Sequence, residues 1–288
     1  MIPPFDPIIV QFGPLVNGMP VFAVRWYAVM ILTGIVLATV LAAIQAHQDG
    51  EDVNYVWDGV TIIVLCGVIG ARIYHIFSEP VGGYAGWHYY LQNPEKIIAI
   101  WEGGLGIFGG IIGGLLGGLF YTRKHRLNFW QWMDYAAVGM PLAQAFGRFG
   151  NYMNRELYGP PTTVPWGLRI PAEYRIMPYT DLATYPPDTL FHPTFLYESL
   201  GSLLVFLVLF WLVTQRKPHL KRGDISLGYL IGYGVVRFGV EFLRPDAWRF
   251  SADQPLAAAQ WFALALIICG SIGIILNHRW HRPEKASA

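Results

Sequence analysis

The residues best suited to chemistry are two arginines and the polar groups that accompany them. Arg148 opens a segment, Gly147 to Gly159, reading GRFGNYMNRELYG. It joins two arginines, a glutamate, two asparagines and three glycines where an apolar run ends. Arg237 lies in a second apolar run with Tyr233, Glu241 and Arg244 at positions i−4, i+4 and i+7. That spacing predicts one polar helical face on an otherwise apolar helix. Guanidinium forks from two helices suit a phosphate, whose oxygens they bind in pairs. Asn151 and Asn154 can donate to ester or hydroxyl oxygens, and Gly147, Gly150 and Gly159 permit sharp turns and close backbone approach.

The elements that must position these groups are membrane helices. Of 288 residues 54% are hydrophobic and 14% charged, against about 25% charged in an ordinary soluble domain. Mean hydropathy is +0.38. A span needs about 20 apolar residues. Seven such runs are predicted, at 20–46, 57–77, 97–121, 129–148, 193–214, 224–243 and 257–277. The expected fold is an all-α polytopic membrane protein, one transmembrane domain over 1–288, with a Pro-, Tyr- and Thr-rich loop or small cap at 149–192. The net charge of +1 implies no attraction to nucleic acid. Cys66 and Cys269 sit in apolar runs and read as packing thiols. No metal-ligand spacing is present, and neither a metal nor a cofactor is expected. The start, Met1 to Pro7, lacks a basic region, so a cleaved signal peptide is not expected.

Ten of the twenty Lys and Arg residues cluster after spans three and five and in the tail, at 123–126, 216–222 and 279–285. The opposite side carries six: Lys96, Arg155, Arg169, Arg175, Arg244 and Arg249. The positive-inside rule then places the C-terminus in the cytoplasm and the N-terminus outside. A charge at mid-bilayer costs about 2.5–3.5 kcal/mol, so each needs a reason. With this orientation Arg25, Arg72, Glu102, Arg148, Glu198, Arg237 and Glu241 all fall in the outer half of the membrane. Tyr27, Tyr74, His75, His192 and Tyr233 share that depth. Arg25 and Arg72 also suit snorkelling or structural pairing. One polar layer facing the outer leaflet is expected, and a phosphate there is most simply a phospholipid headgroup. In the third span, Gly106, Gly110, Gly114 and Gly118 interleave with Gly109, Gly113 and Gly117 as two small-residue ladders for close helix packing.

Three other classes are less consistent with this pattern. A lipid transporter should show internal repeats and polar groups through the full depth. An intramembrane protease needs a nucleophile with its base, or metal ligands, and no Gly-x-Ser-x-Gly or His-Glu-x-x-His occurs. A scaffold has no use for the charge layer.

At these residues the chain resembles the prolipoprotein diacylglyceryl transferases. Gly147 to Gly159 fits their G-R-x-G-N-x-x-N-x-E-x-x-G pattern at every fixed position. Arg25-Trp26-Tyr27, Trp101 to Leu105, His192 to Glu198, and Tyr233, Arg237, Glu241, Arg244 and Asp246 resemble further family segments, in order along the chain. The resemblance implies transfer of the diacylglyceryl group of phosphatidylglycerol to the lipobox cysteine of a preprolipoprotein, in the bacterial cytoplasmic membrane. It implies that Arg148 and Arg237 hold the lipid phosphate. It implies further site residues at Tyr27, Asn151, Asn154, Glu156, Gly159, Tyr233, Glu241 and Arg244. One departure is Phe108, where many relatives carry His. Tyr27, Glu102, Glu241 and His75 are open alternatives for the base. A direct displacement without a covalent enzyme intermediate is expected.

Overall fold

The computed structural model describes residues 1, 3, 6–16, 19–78, 86–245, 247–251 and 253–280, without the side chains of 13–22, 102 and 280. Asp246, the side chain of Glu102 and the basic residues Arg282 and Lys285 therefore lie outside the described residues. A strand pair, β1 (Ile8–Val16) and β2 (Met19–Arg25), precedes the helices α1 (Trp26–Gln48), α2 (Asn54–Phe77), α3 (Trp87–Gln92), α4 (Ile107–Lys124) and α5 (Phe129–Met153). Three two-residue strands follow, β3 (Pro161–Thr162), β4 (Leu168–Arg169) and β5 (Leu190–Phe191). The helices α6 (Thr194–Arg216), α7 (Asp224–Glu241) and α8 (Ala258–Trp280) complete the chain. Four segments, Trp26–Gln48, Asn54–Phe77, Thr194–His219 and Ala258–Arg279, are long and apolar enough to cross a membrane. Leu32, Val36, Ile69, Leu204 and Ile272 stand exposed on them, as residues facing lipid would.

The chain parses into two compact units. One holds Met1–Val10, Ala23–Leu41 and Met133–Ala288, the other Gln11–Phe22 and Ala42–Trp132.

In the second unit α2 packs on α4 backbone to backbone. A Cβ on Gly109 would collide with the carbonyl oxygen of Gly70, and one on Gly113 with that of Cys66. Of the two predicted ladders, Gly109, Gly113 and Gly117 form this seam, while Gly110, Gly114 and Gly118 stand in ordinary contact with α2. Overpacking such a contact costs about 3 kcal/mol, so Gly113→Ala should lower the thermal midpoint in detergent by several degrees. An unchanged midpoint would count against the seam.

The helix of the third predicted run begins later than predicted. Residues 94–106 are short 3-10 turns and extended chain, and the α-helix starts only at Ile107. Gly103 and Gly104 have φ of +91° and +75°, conformations that cannot continue a right-handed helix. Arg72 holds this stretch. Its Nε donates to Ile97 O (2.9 Å), and Nη1 donates to Gly103 O and Gly104 O, both at 2.8 Å. Its Nη2 donates to Lys96 O, and its guanidinium lies over the Tyr90 ring at 5.3 Å. The first span is also shorter than predicted, because residues 19–25 are strand rather than helix.

In the first unit α1 lies against α5. A Cβ on Gly139 would stand 2.5 Å from Ala38 Cα, and one on Gly34 2.9 Å from Ala143 Cα. Ala137 and Val138 of α5, Leu209 and Val213 of α6, and Ile225 and Tyr229 of α7 form one buried cluster. Asp134 of α5 accepts from Gly223 N (2.6 Å), Ser226 N (2.8 Å) and Ser226 Oγ (2.7 Å), capping the start of α7. These contacts fix the three helices that carry the candidate site.

The segment after α5 is more ordered than a loop. Strand β5 lies between β3 and β4, antiparallel to both, with Pro161 and Leu168 each opposite Phe191. Tyr158, Leu168, Ile170, Tyr179, Phe191 and Phe195 form its own core. Arg175 is buried there. Its Nε donates to Ile170 O (2.9 Å), Nη1 to Tyr185 O (2.7 Å) and Nη2 to Pro186 O and Pro187 O (both 3.1 Å). Burial raises the Tyr158 hydroxyl above its ordinary value. That hydroxyl accepts the Ile176 N–H at 2.6 Å.

Candidate active site

The last turns of α5 carry Arg148 and Asn151 at helical spacing, and the chain then folds back on itself. Asn154 N still bonds Gly150 O (3.0 Å), whereas Glu156 N reaches Asn151 O (3.1 Å). Arg155 and Leu157 take φ of +60° and +55°. Non-glycine residues adopt this region rarely and at a cost of order 1–3 kcal/mol, commonly at functional sites. Neighbours hold the turn in place. The Thr194 hydroxyl donates to Leu157 O. Gly159 N donates to His192 O (2.9 Å), and the Arg155 guanidinium lies 4.5 Å from the centre of the Tyr174 ring. A Cβ on Gly159 would stand 2.8 Å from His192 Cβ and 3.0 Å from Leu243 O, so glycine is required there for close approach.

This turn draws the segment's polar side chains into one network. Glu156 Oε1 accepts from Asn151 Nδ2 (2.9 Å) and from Asn154 Nδ2 (3.1 Å). Arg148 Nη1 donates to Asn151 Oδ1 at 3.1 Å, and its Nη2 lies 2.6 Å from Glu198 Oε1 on α6. Asn151 and Glu198 are buried, and Glu156 is exposed. Tyr27, at the start of α1, packs on Gly150, where a Cβ would stand 2.6 Å from Tyr27 Cδ2.

Helix α7 supplies the second arginine. Arg237 Nη2 lies 2.6 Å from Glu241 Oε2, one turn along the same helix. Tyr233 stacks on Tyr229 with ring centres 6.1 Å apart, and Tyr229 accepts from Gln144 Nε2 at 2.7 Å. Helix α7 ends at Glu241. Arg244 therefore lies past the helix, its N–H bonded to Glu241 O at 3.1 Å. The predicted polar face is accordingly helical through Glu241 and passes to Arg244 through a turn.

Each of the two arginines thus meets a carboxylate. The Glu241 pairing follows from the i, i+4 spacing. The sequence places Glu198 among the membrane charges but gives it no motif partner in the site. Its own helix could have pointed to it: Thr194, Phe195, Gly201 and Ser202, one turn away on either side, include no cation. Its partner had to come from another helix. Of the remaining candidates, Phe108 is exposed beside Tyr74, with ring centres 5.9 Å apart. His75 contacts the Tyr90 ring edge at 6.1 Å. Both belong to the other compact unit.

Comparison with known proteins gives the same family as the motifs. The family model for prolipoprotein diacylglyceryl transferase matches residues 14–276. The phosphatidylglycerol–prolipoprotein diacylglyceryl transferase of Chloroflexus aggregans is 39% identical over 292 positions, covering 97% of this chain and 92% of its own. The protein of that name from Nostoc sp. is 36% identical, covering 96% and 91%. The one from Bacillus mycoides is 37% identical, covering 99% and 96%. Matches of this extent leave no sizeable part of either partner unaligned, and the chain belongs to the prolipoprotein diacylglyceryl transferase family.

Proposed function

We propose that this multi-pass membrane protein transfers the diacylglyceryl group of phosphatidylglycerol to the lipobox cysteine of preprolipoproteins, the first step of lipoprotein maturation. One observation carries the site assignment. Arg148, Asn151, Asn154 and Glu156, all from one short segment, form a single connected polar network where an apolar helix ends. The seven long helices all cross the bacterial cytoplasmic membrane as one transmembrane domain, with the N-terminus outside and the C-terminus in the cytoplasm. The 149–192 cap is external, and the site opens to the outer leaflet. The distribution of Lys and Arg supports that orientation.

In the reaction the cysteine sulfur forms a bond to the glycerol carbon that bears the phosphate, and that C–O bond breaks. Glycerol phosphate leaves with the electron pair. The thiol proton ends on the phosphate monoester, whose second pKa is about 6, or in water. Arg148 and Arg237 bind the phosphate and offset the charge that grows on it. Asn151, Asn154, Glu156 and Arg244 complete the headgroup site, Gly159 sets its close backbone approach, and Tyr27, Tyr233 and Glu241 line the reacting centre. A free thiol is a minority thiolate at neutral pH, so a proton acceptor or a positive field raises the rate.

The test uses purified protein in phosphatidylglycerol vesicles with a lipobox peptide. The expected result is a peptide heavier by one diacylglyceryl group and an equal release of glycerol phosphate. Movement of the lipid across the vesicle without peptide product would favour a transporter. In the same assay Arg237→Lys should lower turnover at least about tenfold, because an ammonium cannot form the paired fork. Full activity in that variant would remove the paired-fork assignment.

A further inference from the structure

Glu198 has no place in the reaction as set out above, yet the structure spends a buried carboxylate on it. Its relative exposure is 6%. A buried carboxylate is costly unless paired and hydrogen-bonded, and its partner is Arg148 at 2.6 Å. The partner is not wholly sealed, since 26% of the Arg148 side chain is exposed.

The two nitrogens at the tip of Arg148 are both held. Nη1 donates to Asn151 Oδ1 at 3.1 Å, and Nη2 meets Glu198. A guanidinium has five N–H donors in a rigid plane, so fixing two of them sets the direction of the other three. Glu198 is itself a firm post. Ser199 Oγ, next in the chain, donates to Ala145 O at 3.1 Å. Phe195, one turn earlier on α6, stacks on Tyr152 at 4.5 Å and meets the Phe149 ring edge-on at 5.7 Å. These contacts bracket Glu198 against α5 on both sides of Arg148. The contrast with the other pair is informative. Glu241 shares a helix with Arg237 and moves with it, whereas Glu198 fixes Arg148 from a different helix.

We propose that Glu198 is a positioning residue for Arg148: its geometry aims the guanidinium at the lipid phosphate, and its charge weakens the resting affinity of that guanidinium for anions. The proposal rests on the assignment of Arg148 to the phosphate. Position and charge can be separated by substitution. Glutamine keeps the shape and an acceptor for Nη2 but removes the charge. Aspartate keeps the charge but withdraws it by one methylene. Misplacement of about 1 Å can cost on the order of 10²-fold in rate.

The experiment measures kcat, KM for phosphatidylglycerol, inhibition by glycerol phosphate and the thermal midpoint of each variant in detergent. Glu198→Ala should lower kcat about 10²-fold and Glu198→Asp about tenfold, with KM within about threefold. Glu198→Gln should keep kcat within about threefold of the parent while glycerol phosphate inhibits several-fold more tightly. A purely structural ion pair would lower the thermal midpoint without moving kcat and inhibition in this pattern. The proposal is overturned if Glu198→Asp keeps full kcat, or if Glu198→Gln loses as much kcat as Glu198→Asp. Both readouts remain available even if Glu198→Ala fails to fold. If Arg148→Lys keeps full turnover, the phosphate assignment falls and this proposal with it. If Arg148→Lys is inactive while the Glu198 variants are unaffected, only this proposal falls.

Discussion

Arg148→Ala should lower turnover by at least about 10²–10³-fold, the loss that follows removal of one donor to a developing anion. The substitution removes two things at once. It takes the cation from the proposed phosphate site, and it leaves Glu198 as a buried carboxylate without its counter-charge. Breaking a buried pair costs about 3–5 kcal/mol. The lower end applies here, because a quarter of the Arg148 side chain is exposed. The thermal midpoint should therefore fall together with activity, and kcat must be taken per folded molecule. The double variant Arg148→Ala/Glu198→Gln settles the division: it should regain thermal stability and remain inactive. Recovery of turnover in the double variant would mean that Arg148 serves the fold and not the phosphate.

The second large effect is structural. Arg175→Ala should unfold the small sheet between α5 and α6. The guanidinium bonds four backbone carbonyls, those of Ile170, Tyr185, Pro186 and Pro187. It also lies 5.2 Å from the centre of the Phe191 ring. A hydrogen bond from a charged donor contributes about 1.5–3 kcal/mol. Partial rehydration of the freed carbonyls recovers some of that, and a net loss of about 4 kcal/mol is expected. Limited proteolysis should then cut within 154–193, where the parent resists. Arg175→Lys should fail almost as badly, since a single ammonium cannot span four acceptors. Turnover should also fall, because His192, to which Gly159 is bonded, directly follows strand β5 of this sheet. A protease-resistant cap in Arg175→Ala would contradict this account.

Much of the architecture was legible because a bilayer imposes length and polarity on a helix. Each of the seven predicted apolar runs overlaps a long helix, and one of the two glycine ladders, Gly109, Gly113 and Gly117, is the α2–α4 seam. Boundaries failed where backbone conformation overrides composition. Residues 97–106 are apolar enough to belong to a span, but Gly103 and Gly104 take positive φ and Arg72 captures the carbonyls around them. No hydropathy pattern reports such a capture. The segment 149–192 was legible as a loop or small cap but not as a sheet, because two-residue strands have no periodicity to read. In the candidate site, the motif residues could all be named from the sequence. Their connectivity was not, since Asn151 and Asn154 meet Glu156 only through the positive-φ turn at Arg155 and Leu157. Glu198 lies 50 residues beyond Arg148 in sequence, and only the packing of α6 on α5 brings them together.

The different origins of the two counter-charges bear on how the chain is made. Arg237 and Glu241 lie on one helix and leave the ribosome within four residues of each other. In the proposed topology, helix α7 can thus enter the bilayer with its charges already compensated. Helix α5 cannot, because the carboxylate that neutralises Arg148 is still unsynthesised when α5 emerges. Until α6 follows, α5 must keep Arg148 at a watery boundary or within the translocation channel. Biogenesis is thereby tied to the intervening cap. In that topology, helices α5 and α6 with residues 154–193 between them would insert as one unit, and a lesion that delays the cap would delay the burial of Arg148 as well.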